Sequence, residues 1–248
     1  MASKRILPQP PPIEGLTKGG PVAFFLDFDG TLVDIASTPN SICVPSGMAR
    51  SLERLADKNS GRLAIVSGRS ISDLHRHLGP LRLACAGSHG IERLDADGKL
   101  VGSSPQAMPG KARDALYSFA LKREGLEFED KCFGAALHFR ARPELASEAV
   151  AHAEDVASAA GLSIKHGNCV VELLHHGADK SEAVRVFMQL PPFRNATPIF
   201  IGDDLTDEDG FRAAKEFGGF GIIVGQREQT SARYRLDIPA SVRDWLNL

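Results

Sequence analysis

The hydrophobic pattern of the chain has two rhythms. Five short apolar runs, at 22–26, 63–66, 83–86, 198–201 and 221–224, have the unbroken character of strands covered on both faces. Segments with helical character, such as 46–58, 71–78 and 180–190, lie between or beside them. Alternation of this kind predicts a doubly wound, Rossmann-like α/β sheet of parallel strands, with ligands at the carboxyl ends of the strands. Asp27, Ser67, Gly87 and Asp203 each fall just past such an end.

The second rhythm occupies the middle of the chain. It reads as helix, strand, strand, helix, strand, strand, with helices at 111–123 and 144–160 and strands centred on Phe128, Leu137, Ile164 and Val171. Polar and apolar positions alternate here. His138 and Arg140 share one strand face while Leu137 and Phe139 share the other, and Glu172 faces away from Val171 and Leu173. Hairpin-linked strands covered by two helices predict a smaller α+β domain inserted into the larger one. The expected core is 22–108 with 178–248, and the insertion, 109–177, reads as a cap that opens to admit a ligand and closes on it. His138, Arg140 and Glu172 then point off the open face, toward a ligand or simply toward solvent. Residues 1–21, with Pro8, Pro10, Pro11, Pro12 and Gly19-Gly20, read as a mobile arm.

Composition narrows the classes. Hydrophobic content of 43% and charged content of 24% are ordinary for a soluble globular protein. A net charge of -2 argues against nucleic-acid or anionic-membrane partners, so an anionic ligand must be held by local features. Cys43, Cys85, Cys132 and Cys169 are far apart and form no C-x-x-C pair, which predicts reduced thiols in a cytoplasmic protein over a zinc or disulfide framework. No apolar run approaches a membrane span, and the first residues lack the apolar core of a signal peptide. The simplest assembly is a monomer acting on a small molecule.

The chemistry-bearing residues sit at the predicted strand ends. In Asp27-Phe28-Asp29-Gly30-Thr31 the first aspartate ends a buried strand and Gly30 permits a sharp departure. Buried carboxylates are expensive without cations or donors, which points to a metal-assisted site with Asp27 as nucleophile and Asp29 as general acid and base. A strand closing in an acidic Asx-type turn would read the same way. Ser67, in Val66-Ser67-Gly68-Arg69, sets a hydroxyl beside backbone N–H groups; it could hold a phosphate oxygen or merely cap the next helix. Lys180 opens a predicted helix, where a cation opposes the macrodipole; that is a hint of function or a solvated lysine. Asp203, after the run at 198–201, can join Asp27 as a hard oxygen ligand, and few carboxylates with room for water and phosphate suit Mg²⁺. Asp207 to Asp209 could be no more than a solvated loop or helix N-terminus, and whether Asp204 or Asp207 meets the metal, directly or through water, or only shapes the loop stays open.

The order D-x-D-x-T, S-G, K, G-D-D-x-x-D on α/β strand ends resembles the haloacid dehalogenase superfamily. The resemblance implies a core of that fold with a C2-type cap, and an aspartyl phosphate formed on Asp27. Asp29 would protonate the leaving oxygen and then deprotonate water. Mg²⁺ would be held by Asp27, the Asp29 carbonyl and Asp203, and Lys180 and Ser67 would hold the phosphoryl oxygens. With Gly87-Ser88-His89-Gly90-Ile91-Glu92, His138-Phe139-Arg140 and Val170-Val171-Glu172-Leu173 added, nearly the whole chain after the arm is similar to the trehalose-6-phosphate phosphatases. That similarity implies trehalose 6-phosphate as substrate, with Thr31, Arg69, Glu92, His138, Arg140, Asn168 and Glu172 among the substrate-binding residues. One departure stands out: the family commonly has Gly-Lys where this chain has Gly167-Asn168, so a positive charge is missing. A phosphatase of the same superfamily acting on sucrose phosphate or mannosyl phosphoglycerate would share the core and differ in the cap. A catalytically silent sugar-phosphate sensor would be expected to have lost at least one of Asp27, Asp29, Lys180 and Asp203, and all are present.

Overall fold

The computed structural model describes residues 7–36, 41–167 and 169–248. The chain forms two compact units, with boundaries at Ser103/Ser104 and Ala178/Asp179. In the larger unit the first pass runs α1 (Ile13–Thr17), β1 (Val22–Leu26), α2 (Met48–Lys58), β2 (Leu63–Val66), α3 (Ile71–Leu78), β3 (Ala84–Gly87) and β4 (Glu92–Leu94). The smaller unit contains α4 (Gly110–Leu121), β5 (Glu127–Lys131), β6 (Gly134–His138), α5 (Ala146–Ala160), β7 (Ser163–Gly167) and β8 (Val170–Leu174). The chain then completes the larger unit with α6 (Lys180–Met188), β9 (Thr197–Gly202), α7 (Asp207–Glu216), β10 (Phe220–Val224), β11 (Tyr234–Leu236) and α8 (Pro239–Leu246).

The large sheet has the order β11-β10-β9-β1-β2-β3-β4, parallel throughout except for the antiparallel edge strand β4. β1 alternates between two cores. Val22, Phe24 and Leu26 pack in a cluster with Leu52, Leu74 and Val242 from α2, α3 and α8. Ala23 and Phe25 lie in the opposite cluster with Phe187, Phe200 and Phe211. Burial on both faces is why the run is apolar without a break. Leu26 pairs with Ile65 of β2 and Ile201 of β9, so the residues just past these three strands emerge together at one sheet edge. The sequence pattern misses β4 because it is three residues long and two of them are charged.

The expected mobile arm is corrected from residue 7 onward. The Pro8 carbonyl accepts from the Arg235 N–H at 3.0 Å, and Trp245 Nε1 donates to the Pro11 carbonyl at 2.9 Å. Leu7, Ile13 and Leu16 pack against the two cores. Proline removes a donor but keeps its carbonyl, so a Pro-rich segment can still be pinned by acceptors.

In the smaller unit the sheet order is β5-β6-β8-β7, antiparallel. Leu137, Val171 and Leu173 pack with Leu116, Phe119, Ala149 and Ala153 of the two helices. The register sets Glu129, Ala136, Glu172 and Lys165 in one row across the sheet, on the face opposite those apolar residues.

Candidate active site

Asp27 continues β1 by one step: its N–H donates to the Ile201 carbonyl at 2.9 Å. The turn that follows needs glycine twice over. Gly30 has φ +76°, and a Cβ there would lie 2.2 Å from Asp203 Oδ2, so only glycine lets the two strand ends approach this closely. Thr31, expected to bind substrate, is fully buried, with its hydroxyl 3.3 Å from Asp27 Oδ2 and 3.4 Å from Asp203 Oδ1. Its observed place is between the two carboxylates, where it orients them.

Lys180 is no solvated lysine. Its ammonium, 2% exposed, donates to Asp27 Oδ1 and to Asp207 Oδ1, each at 2.6 Å. The Asp179 side chain caps α6 by accepting from the Glu182 N–H at 2.9 Å, which offsets the placement of a cation in the first turn. Of the readings open for Asp207, the structure excludes a solvated helix start. It is fully buried, and its Oδ2 accepts from the Asp203 and Asp204 N–H groups at 3.0 and 2.9 Å. One carboxylate thus ties Lys180 to the loop that carries Asp203. The signal that could have found it is the four-residue step from Asp203, behind a Gly202 whose Cβ would stand 2.2 Å from Asp207 Cγ.

Asp27, Asp203 and Asp207 offer oxygens that all lie within 4.8 Å of one another. A single ammonium faces three carboxylates. Burial, reinforced by Asp207 and Asp203 and only partly countered by Lys180, raises the Asp27 pKa well above the ordinary value. Burial and Asp207 likewise push Asp203 up to about 7. For Lys180, burial alone would lower the pKa, but Asp207 and Asp27 outweigh it and hold the group protonated. The remaining negative charge and the all-oxygen donor set fit a hard divalent cation.

The side chain of Asp29 points elsewhere. Arg69 grips it with two charge-assisted hydrogen bonds, Nε to Oδ2 at 2.6 Å and Nη2 to Oδ1 at 2.8 Å, while Nη1 donates to Asp73 Oδ2 at 2.6 Å. Arg69, expected among the substrate-binding residues, is therefore seen holding the side chain expected to act as acid and base. Ser67 is 1% exposed and its Oγ accepts from the Arg69 N–H at 3.1 Å, which folds the loop over itself. Glu92, also expected to bind substrate, accepts from Ser88 Oγ at 2.5 Å, and burial raises its pKa despite that bond and one from the Ile71 backbone.

The polar sheet face of the smaller unit carries its own ion network. Lys131 Nζ donates to Glu172 Oε1 at 2.8 Å and lies 3.7 Å from Glu129 Oε2, and His138 Nε2 meets Glu129 Oε2 at 2.9 Å. Burial would lower the Lys131 pKa, but Glu172 and Glu129 together raise it. Burial would raise that of Glu129, but His138 and Lys131 lower it. Arg140 is exposed just beyond β6, and Asn168 lies outside the described residues. The sequence reading missed Glu129 and Lys131, because Glu127-Phe128-Glu129-Asp130-Lys131 is polar on both faces and reads as a solvated strand.

Comparison with known proteins agrees with this geometry. The family model described as trehalose-phosphatase matches residues 25–240. Trehalose-6-phosphate phosphatase of Escherichia coli is 36% identical over 228 residues, covering 91% of this chain and 85% of that protein. A probable trehalose-phosphate phosphatase of Sinorhizobium fredii is 37% identical over 205 residues, covering 82% and 77%. The fold is shared with the C-terminal domain of a C. albicans trehalose-6-phosphate phosphatase, with a TM-score of 0.81, 21% identity, and 99% and 98% of the two chains covered.

Proposed function

The chain belongs to the trehalose-phosphatase family, and we propose that it is a Mg²⁺-dependent phosphatase that converts trehalose 6-phosphate to trehalose and phosphate. The observation that carries the reading is the Asp27 carboxylate at a strand end, with one oxygen on the buried Lys180 ammonium and Asp203 close by. A carboxylate meets a phosphate dianion only where cations offset the repulsion, and Lys180 supplies one such charge. When bound, Mg²⁺ would be held by the Asp27 and Asp203 carboxylates and the Asp29 carbonyl, and would neutralise charge on the phosphoryl oxygens.

In the first step an Asp27 oxygen attacks phosphorus, and the bond from phosphorus to the sugar oxygen breaks as Asp29, turned out of the Arg69 grip and protonated, gives that oxygen a proton. The product is an aspartyl phosphate on Asp27. In the second step Asp29, now a carboxylate, takes a proton from water as the water oxygen attacks phosphorus. The bond to Asp27 breaks, phosphate leaves and the starting carboxylate returns. Lys180 and the Ser67 hydroxyl hold phosphoryl oxygens through both steps, and Asp207 keeps Lys180 in place.

We assign choice of the sugar to Glu129, Lys131, His138 and Glu172, a set of fixed donors and acceptors of the kind that reads hydroxyl groups. Arg140 and Asn168 belong to the same proposal. The described cysteines are free thiols, which supports a reducing compartment such as the cytoplasm. The test is phosphate release with Mg²⁺ from trehalose 6-phosphate, sucrose 6-phosphate, glucose 6-phosphate and an aryl phosphate, with Asp27→Asn in parallel. Preference for trehalose 6-phosphate, abolished in the variant, is expected. Release from another ester would keep the core chemistry and remove the sugar assignment, and no release from any would leave a sensor.

A further inference from the structure

The Gly87-Ser88-His89-Gly90 segment has no part in the steps above, yet it is tightly constrained. Ser88 has φ +49° and His89 φ +57°, followed by Gly90 at +94°, so two residues with side chains stand in succession in the left-handed region. Strain of this kind persists only where the surroundings over-determine it, and it gathers at functional sites. Here the surroundings do so on every side. The Ser88 N–H donates to the Arg69 carbonyl at 2.7 Å, and the His89 N–H to the Ser67 carbonyl at 3.0 Å. A Cβ on Gly87 would lie 2.6 Å from the Ile71 nitrogen, and one on Gly90 would lie 2.6 Å from the Asp179 carbonyl oxygen. The turn is thus wedged between the Ser67 loop and the start of the helix that carries Lys180.

The side chain has an equally defined seat. A Cβ built on Gly68 would stand 2.8 Å from His89 Cε1 and 2.9 Å from Nε2, so the imidazole lies directly on the backbone of the residue after Ser67. Asp27, Ser67 and Lys180 are 4%, 1% and 2% exposed, whereas His89 is half-buried. The ring, seated beside the Ser67 loop, is thus more exposed than the groups assigned to the phosphoryl oxygens. A substrate with its phosphorus at Asp27 and a phosphoryl oxygen on Ser67 presents, beyond those groups, the sugar esterified to the phosphate.

We propose that His89 is a further specificity-determining residue, whose imidazole contacts the sugar next to the phosphoryl group, and that the strained turn exists to hold it there. This rests on the phosphatase reading of the site. Asparagine tolerates the left-handed region, so His89→Asn keeps the turn and removes the ring. Gly68→Ala approaches from the other side, since its Cβ would displace the ring. In both variants kcat/KM for the sugar phosphate should fall about tenfold, mainly through KM, with a smaller fall for an aryl phosphate and a thermal midpoint close to that of the parent protein. Equal losses on both substrates with a lowered midpoint would make the turn purely structural, and unchanged kinetics would remove the contact; either overturns the proposal. Trehalose 6-phosphate is the probe. Should the parent protein prefer another sugar phosphate, the sugar assignment fails by itself and the same split is read on that ester. A parent protein inert toward every sugar phosphate would overturn both.

Discussion

The two ion networks of this protein differ in their charge balance, and the difference separates what each can bind. At the strand ends of the larger unit, three carboxylates face one ammonium. Burial raises the pKa of Asp27 and Asp203 because the negative charge is under-compensated. On the smaller unit's sheet, Lys131 lies between Glu129 and Glu172, His138 Nε2 meets Glu129, and the pKa of Glu129 falls. A buried excess of carboxylate recruits a cation, while carboxylates already paired with a lysine and an imidazole recruit a neutral partner through directed hydrogen bonds. The first network suits a metal and phosphoryl transfer, the second a polyol.

The comparison breaks hardest at Asp27. Asp27→Asn removes the nucleophile, and phosphate release should drop on the order of 10⁴-fold or more for every ester. A residual rate within tenfold of the parent protein would end the covalent mechanism. Asp207→Ala comes next, because it strips Lys180 of a partner and leaves two backbone N–H groups unsatisfied. Breaking a buried pair costs about 3–5 kcal/mol, so denaturant unfolding should show a loss of that size together with most of the activity. A loss under about 1 kcal/mol would return Asp207 to the status of a surface residue.

Glu172→Ala probes the second network. A hydrogen bond to a charged group is worth about 1.5–3 kcal/mol, so kcat/KM for trehalose 6-phosphate should fall roughly 10- to 100-fold, with a much smaller effect on an aryl phosphate. Equal losses on both substrates would count against a recognition role. The smallest effect sharpens the contrast between the networks. Asp203 is raised to about 7 in the folded state from an ordinary 3.8, so between those values the native protein holds a proton that the unfolded chain has released. Without metal, this group makes stability decline as pH rises through that window. A cation needs the ionised carboxylates, so Mg²⁺ should raise the thermal midpoint more at about pH 8 than at about pH 5.5. The shift should survive in Glu172→Ala, and a Mg²⁺ effect independent of pH would contradict the placement of the ion.

Legibility in the sequence followed the range of each interaction. β1 and the step into Asp27 were readable because an unbroken apolar run ending in a carboxylate is a local pattern with a large burial energy behind it. The smaller unit's helices and strands were readable for the same reason, through their periodicities. Asp207 was not, since acidic residues at a helix start are usually stabilised by the dipole in solvent, and its four-residue step from Asp203 marks it only once the loop is known to fold back. The arm was misread because prolines and glycines report a lack of regular structure, and its anchoring contacts come from Arg235 and Trp245, far along the chain.

The sequence by itself determined the order of the five buried strands and of the smaller unit's helices and strands, the two-faced burial of β1, and the station at which each chemical group leaves its strand, because these follow from side-chain periodicity over a few residues. Only the tertiary structure decided which charges meet. Asp27 and Lys180 are 153 positions apart, and Lys131 and Glu172 are 41 apart. The same holds for the choice of Arg69 as partner to Asp29 and for the seat of His89 on Gly68. An ion pair or a ring contact depends on a few ångströms between groups brought together by packing, and no local pattern encodes that distance.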